Sequence, residues 1–202
     1  LLAVKPNQLD SAVNEELVNI ISDSLIISII AGKKIRELKK ITRNKNNTVR
    51  AMTNTPVSLG MGTSILYFDK GIKKKYKNLA REFLALVGQV NEAKNESAID
   101  SFTAIYGSGP AYIYLMIESL IKISSKAGLK NSENMVIQTF LGSLLLLMSG
   151  KSDAKTLREN VTSKGGTTQA ALSILNSHNG LPKLLSRAIN KARKRSIELS
   201  SN

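Results

Sequence analysis

Ser24-Leu25-Ile26-Ile27-Ser28-Ile29-Ile30-Ala31-Gly32 decides how this chain is read. The run is β-branched and aliphatic without alternation, and Ala31-Gly32 stops it. A strand with one wet face alternates apolar and polar residues, whereas a strand covered on both faces does not. Residues 24–30 are therefore expected to form a buried strand of a parallel sheet. Toward the N-terminus, residues 1–4 look like the end of a second buried strand, closing at Lys5-Pro6. Between the two, residues 10–21 have the spacing of one helix, with Ala12, Val13, Leu17, Ile20 and Ile21 on a single face.

Toward the C-terminus the alternation of elements continues. Residues 33–40 read as a short helix and 48–52 as a strand broken by Asn54-Thr55-Pro56. Residues 62–68 alternate weakly and should pair nearby, and Gly60-Met61-Gly62 reads as a turn. Residues 76–87 are amphipathic up to Gly88, and Val90 begins one more short strand. Strands interleaved with helices of this length imply crossover units and an open α/β sheet.

The texture changes near Asn95, which divides the chain into residues 1–95 and 96–202. Beyond it only helices are expected. They cover 99–105, 110–126, 134–149, 153–160, 166–175 and 182–199. Pro110 suits a first helical position, because its missing N–H would have no partner there, and Gly128 marks a stop. Residues 140–148 are nearly all aliphatic, so that helix must be covered on more than one side. In so small a domain a second subunit is the expected cover. The fold class is thus α/β followed by all-α.

Composition removes several classes of function. Cysteine is absent, which excludes disulfides and thiolate chemistry and suits a reducing, cytoplasmic compartment. His178 is the only histidine, so no multi-histidine metal site exists, and no metal is expected. No apolar span reaches membrane length, so no membrane partner is expected. The net charge of +14 raises nucleic acid as a partner. However, Lys33-Lys34, Lys39-Lys40 and Lys73-Lys74-Lys75 sit among apolar residues at helical spacing, like solvated helix faces. The densest cluster, residues 191–195, holds no aromatic residue on which a base would stack. No nucleic-acid partner is expected.

The chemistry concentrates in Asn160-Val161-Thr162-Ser163-Lys164-Gly165-Gly166-Thr167-Thr168. Hydroxyls and two glycines precede the helical run of Ala170, Ala171, Leu172, Ile174 and Leu175. A helix starting here points unpaired N–H groups, at the positive end of its macrodipole, into the Gly-Gly turn. Glycines let an anion approach that backbone. The segment reads as a seat for a small carboxylate or phosphate, or as an ordinary helix cap after a flexible turn.

Five segments in order resemble the pyrroline-5-carboxylate reductase family. They are Ala3-Val4-Lys5-Pro6, Ser28-Ile29-Ile30-Ala31-Gly32, Met52-Thr53-Asn54-Thr55-Pro56, Gly107-Ser108-Gly109-Pro110-Ala111-Tyr112 and the stretch 160–168. The resemblance covers essentially the whole chain. It implies the C-terminal part of a Rossmann cofactor domain over 1–95 and an α-helical dimerisation and substrate domain over 96–202. It also implies a homodimer, with rings of dimers common in the family. The reaction implied is hydride transfer from NADPH or NADH to 1-pyrroline-5-carboxylate, giving L-proline. The substrate is a cyclic imine carrying a carboxylate.

Roles follow from the same resemblance. Thr168 is the catalytic hydroxyl, directed at the imine nitrogen. Ser163, Gly165, Gly166 and Thr167 hold the carboxylate with it, and Glu96 is a substrate-side acid, though an acid at a helix start is equally ordinary. Thr103, on the same side, borders the pocket. Val4, Lys5, Pro6, Ala31 and Asn160 face the cofactor. Asn54 and Thr55 also suit turn formation before Pro56. Lys164 stands where a proline or small residue is more usual, and Tyr106 replaces a small residue before Gly107. The Gly-x-Gly-x-x-Gly fingerprint and the first strands of a dinucleotide domain are not in this sequence. That leads to the expectation of a piece of a longer protein. Two rivals follow: a non-catalytic helical assembly fragment, and a hydroxy-acid dehydrogenase using Lys122 or Lys126.

Overall fold

The computed structural model describes residues 1–21, 23–43 and 47–200. They form two compact units, Leu1–Pro110 with Ile189–Asn202, and Ala111–Ala188.

In the first unit the helical spacing of residues 10–21 yields two helices rather than one, α1 (Leu9–Ala12) and α2 (Glu15–Ile21). Val13 leaves the helical region, and the Asn14 side chain accepts the N–H of Leu17 at 2.9 Å, which starts α2 afresh. Asparagine competes for backbone groups in this way and favours helix starts. The run at 24–30 supplies β1 (Ile26–Ser28), buried at every position. Only these three residues pair in the ladder. Ile30 leaves it but stays buried, against Leu9, Val13, Val18 and Leu38. Leu2 forms a parallel bridge to Ser28, so the first residues do run beside β1.

Helix α3 (Ile35–Thr42) leads to β2 (Thr48–Met52), which is parallel to β1. A 3₁₀ turn, Thr55–Leu59, and Gly60 at φ +69° then reverse the chain into β3 (Gly62–Phe68). β3 is antiparallel to β2, so the sheet is mixed rather than purely parallel. The cause is the short link. Residues 53–61 fall below the dozen or so that a parallel crossover needs. Helix α4 (Lys74–Ala85) is long enough to cross over, and β4 (Gly88–Glu92) is parallel to β3. The order is β1-β2-β3-β4. Ile27, Val49, Ala51, Leu66, Ala80 and Leu84 form the core beneath α4. Burying each large aliphatic side chain there stabilises by about 1.5–3 kcal/mol.

Helix α5 (Ala98–Phe102) packs on the same sheet through Ile99 and Phe102, which meet Met52 and Ile65. It continues as a wider π turn, Thr103–Gly107. Helices α6 (Gly109–Lys126), α7 (Ser132–Met148), α8 (Ala154–Asn160), α9 (Thr167–Leu175) and α10 (Leu181–Leu199) complete the chain. The second unit is helical throughout its described residues, and Ser132 is its one buried residue. Leu144, Leu145 and Leu146, from the greasy run of α7, are 52%, 56% and 58% exposed. No helix among the described residues is long and apolar enough to cross a membrane.

Candidate active site

The first unit brings together the residues assigned to the cofactor side, apart from Asn160. The segment at Leu2, β1 and β2 run in one direction, so their carboxyl ends share one edge of the sheet. Val4, Lys5 and Pro6 follow the first of these, Ala31 follows the second and Asn54 the third. Open α/β sheets bind ligands at this edge, where chain ends diverge and leave a crevice. Lys5 is exposed, while Val4, Pro6 and Ala31 are half-buried. Lys5 opens a 3₁₀ turn, Pro6–Gln8, as its N-cap. Gly32 adopts φ +73°, and a Cβ there would lie 2.6 Å from the Leu199 carbonyl oxygen.

Asn54 and Thr55 serve the turn. The Asn54 carboxamide accepts the Thr63 N–H at 2.9 Å and donates to the Tyr106 carbonyl at 3.2 Å. The Tyr106 ring lies against Phe102, with centroids 5.1 Å apart. Thr103 turns its hydroxyl back onto the Ile99 carbonyl at 2.7 Å. The Ser108 N–H closes the π turn on the Thr103 carbonyl at 2.8 Å. Such turns occur often at functional positions because they re-aim neighbouring side chains.

Glu96 sits just ahead of α5 in a buried charge cluster. Its Oε1 accepts the Ile35 N–H at 2.8 Å and faces Arg50 Nη1 at 3.4 Å. Arg50, 1% exposed, also places Nη2 3.3 Å from Asp100 Oδ1. Ser196 Oγ donates to that same Asp100 oxygen at 2.9 Å. Arg50, Asp100 and Ser196 are not among the residues picked out above. A signal existed for one of them, because an arginine centred in a strand with no other charge must find a buried partner. Asp100, one helical turn from Glu96, is the nearest such partner. Nothing in the sequence points to Ser196, which lies 96 residues from Asp100.

The second unit holds Asn160 and the whole glycine turn at 163–168. Asn160 is the last residue of α8 and is exposed. Gly165 adopts φ +74°, a conformation costly for any residue with a Cβ. The Gly166 N–H closes the turn on the Ser163 carbonyl at 3.1 Å. A Cβ on Gly166 would collide with the Ser163 hydroxyl. Gly166 is extended and is the N-cap of α9, so Thr167 and Thr168 occupy its first turn. Thr168 is half-buried, whereas Ser163, Lys164, Gly165 and Thr167 are exposed. One residue not anticipated takes part, since Gln169 Oε1 accepts the Gly165 N–H at 2.6 Å. An arrangement of free helical N–H groups, hydroxyls and a glycine turn is suited to a small carboxylate.

Other residues considered for function have ordinary partners. Lys122 pairs with Glu118 at 2.5 Å on exposed surface of α6, and the Lys122 ammonium holds that carboxyl below its usual range. Lys126 closes the same helix. His178 Nε2 lies 3.0 Å from Lys183 Nζ.

Residues 96–199 match the family model for pyrroline-5-carboxylate reductase dimerisation. Pyrroline-5-carboxylate reductase 1 of Bacillus spizizenii is 34% identical, over all of this chain and 68% of its own length. The reductase of Haemophilus influenzae is 36% identical over 88% of this chain and 66% of its length. Among solved structures, a pyrroline-5-carboxylate reductase from Coxiella burnetii superposes with a TM-score of 0.87 at 37% identity. It covers 98% of this chain and 74% of that one. A Plasmodium falciparum pyrroline carboxylate reductase with NADP bound gives 0.87 at 32% identity, covering 98% and 79%.

Proposed function

The chain belongs to the pyrroline-5-carboxylate reductase family of oxidoreductases, and on that premise we propose that it reduces 1-pyrroline-5-carboxylate to L-proline, the last step of proline synthesis. The observation that carries this reading is the turn at 163–168, with Gly165 at φ +74° feeding the N-terminus of α9. The substrate carboxylate takes the free N–H groups of the first turn of α9, helped by the Ser163 and Thr167 hydroxyls. The glycines admit it to the backbone without a side chain in the way.

A reduced nicotinamide, NADPH or NADH, supplies the hydride. The strand-end edge at Val4, Lys5, Pro6 and Ala31 suits such a group, because β1, β2 and the bridged segment at Leu2 all end there in one direction. Lys5, exposed at that edge, offers a cation for a phosphate. Asn160 offers a carboxamide from the second unit. As the new C–H bond forms at the imine carbon, the electron pair of the C=N bond moves onto nitrogen. The Thr168 hydroxyl, in the first turn of α9, donates to the pair that develops on that nitrogen. A threonine is too weak an acid to protonate the imine at neutral pH, so the substrate arrives as the iminium and Thr168 orients it. Glu96, the substrate-side acid of this reading, keeps one oxygen on the Ile35 N–H and Arg50, which holds its carboxylate in place.

The exposed aliphatic faces of α6 and α7 support a homodimer, which we place over the second unit, with rings of dimers as the larger assembly. A chain without cysteine suits the cytoplasm.

Thr168→Ala tests the mechanism. We expect kcat for the cyclic imine to fall by about 10²–10³, as when one oriented donor is removed from a reacting centre. The melting temperature should stay unchanged. Unaltered kinetics would remove Thr168 from the mechanism, and no turnover of the imine by the full-length protein would remove the reductase reading itself.

A further inference from the structure

A buried polar chain fastens the last turns of α10 to the sheet. Ser196 Oγ donates to Asp100 Oδ1 at 2.9 Å, and Arg50 Nη2 faces that oxygen at 3.3 Å. Arg50 Nη1 lies 3.4 Å from Glu96 Oε1, which also takes the Ile35 N–H. Ser196 is 7% exposed, Asp100 4% and Arg50 1%. Three residues further along α10, Leu199 seats its backbone against Gly32. One helix end thus reaches both the anchor of Glu96 and the Ala31–Gly32 turn.

Two carboxylates share one guanidinium here, so they compete for it. A hydroxyl on Asp100 satisfies part of that carboxylate and leaves more of Arg50 for Glu96. Without it Asp100 draws Arg50 toward itself, and the longer contact to Glu96 gives way. We propose that Ser196 is a positioning residue. Acting through Asp100 and Arg50, it sets the orientation of Glu96, and by seating the end of α10 it sets the Ala31–Gly32 turn for the nicotinamide nucleotide. This rests on the reductase reading above. A merely structural serine predicts little change on replacement by alanine, because Asp100 would keep Arg50 as a partner and little apolar surface is at stake.

The test uses the full-length protein with Ser196→Ala and Ser196→Thr. Ser196→Ala should raise the KM for the imine, through Glu96, and the KM and Kd for NADPH, each about tenfold, the effect of one charge-assisted hydrogen bond. The value of kcat at saturation should change by less than about twofold, since uniform binding alone is lost. Without any cofactor, amide exchange at Ile35 should quicken, because its N–H is held by Glu96. Ser196→Thr, which keeps the hydroxyl, should restore all of these. An unchanged Ile35 exchange rate overturns the proposal whatever the kinetics. Quickened exchange with unchanged KM values for the imine and for NADPH and an unchanged Kd for NADPH also overturns it, as the fastening then has no bearing on the reaction. A wild type that turns over no imine takes away the reductase reading, and the positioning role falls with it.

Discussion

The two units of the chain solve the problem of burial in opposite ways. The first puts Leu9, Leu38, Val49, Ala51, Leu66 and Ile99 wholly out of water within a single chain. The second carries aliphatic residues all along α6 and α7, yet no described hydrophobic residue there is buried. A sheet with helices on it makes its own interior. Two or three helices with apolar residues on all sides do not, because each helix hides only the face turned to its neighbour. The second unit therefore holds its core in reserve for another copy, in line with its match to a dimerisation domain.

The comparison breaks if α7 is insensitive to charge. Leu145→Glu places a carboxylate in the proposed dimer interface twice, once per copy. We expect the largest effect of any single change here, with dimers lost in sedimentation at micromolar protein. A dimer of unaltered affinity would mean that the apolar faces are covered in some other way. The first unit should answer differently. Arg50→Met leaves Glu96 and Asp100 without their cation and should cost about 3–5 kcal/mol in denaturant titration. Leu66→Ala opens a cavity beneath α4 and should cost about 2–5 kcal/mol. Both losses should be independent of protein concentration at constant dimer fraction. A concentration dependence matching that of Leu145→Glu would erase the distinction between the units.

The same contrast governs what was legible in the sequence. Residues 48–52 and 62–68 show themselves as extended segments in the sequence and are strands, because period and β-branching are local signals. The antiparallel turn between them was not read as such, since direction depends on the length of the link and on Gly60 at φ +69°. The break at Val13–Asn14 was hidden because apolar residues on both sides of it, Leu9, Val13 and Val18, enter one core, while Ala12 and Ile20 of the expected face are exposed. In the candidate site, the glycine turn and the hydroxyls announced themselves through residue type and order. Arg50 left only the hint of a charge inside a strand, and Asp100 and Ser196 left none, because a buried ion cluster is assembled from three distant segments and has no period. Gln169 was equally silent, as nothing about a glutamine near a helix start shows which N–H it will take.

Gly165→Ala sharpens the comparison on the side of the second unit. At φ +74° a Cβ costs about 1–2 kcal/mol, so the turn should relax or shift. With the seat displaced, the KM for the imine should rise by up to about tenfold, as 1.4 kcal/mol corresponds to a factor of ten. The KM for the nicotinamide nucleotide, whose proposed edge lies in the first unit, should hold. Equal changes in both constants would show that the two ligands do not divide between the units in this way.

The smallest expected effect lies at the start of α8. Asp153 is its N-cap, and its side chain accepts the Thr156 N–H at 2.7 Å. That backbone hydrogen bond holds the Asp153 carboxyl below its ordinary value. The group binds its proton more weakly folded than unfolded, so its contribution is present above the unfolded value, about pH 4, and fades as pH falls through the folded one. Asp153→Ala should lower the melting temperature slightly at pH 7, and the gap between variant and wild type should close in strong acid. Asp153 is exposed, so its replacement isolates helix capping from burial. A gap that persists unchanged at pH 2 would show that the residue acts by something other than its charge at the head of α8.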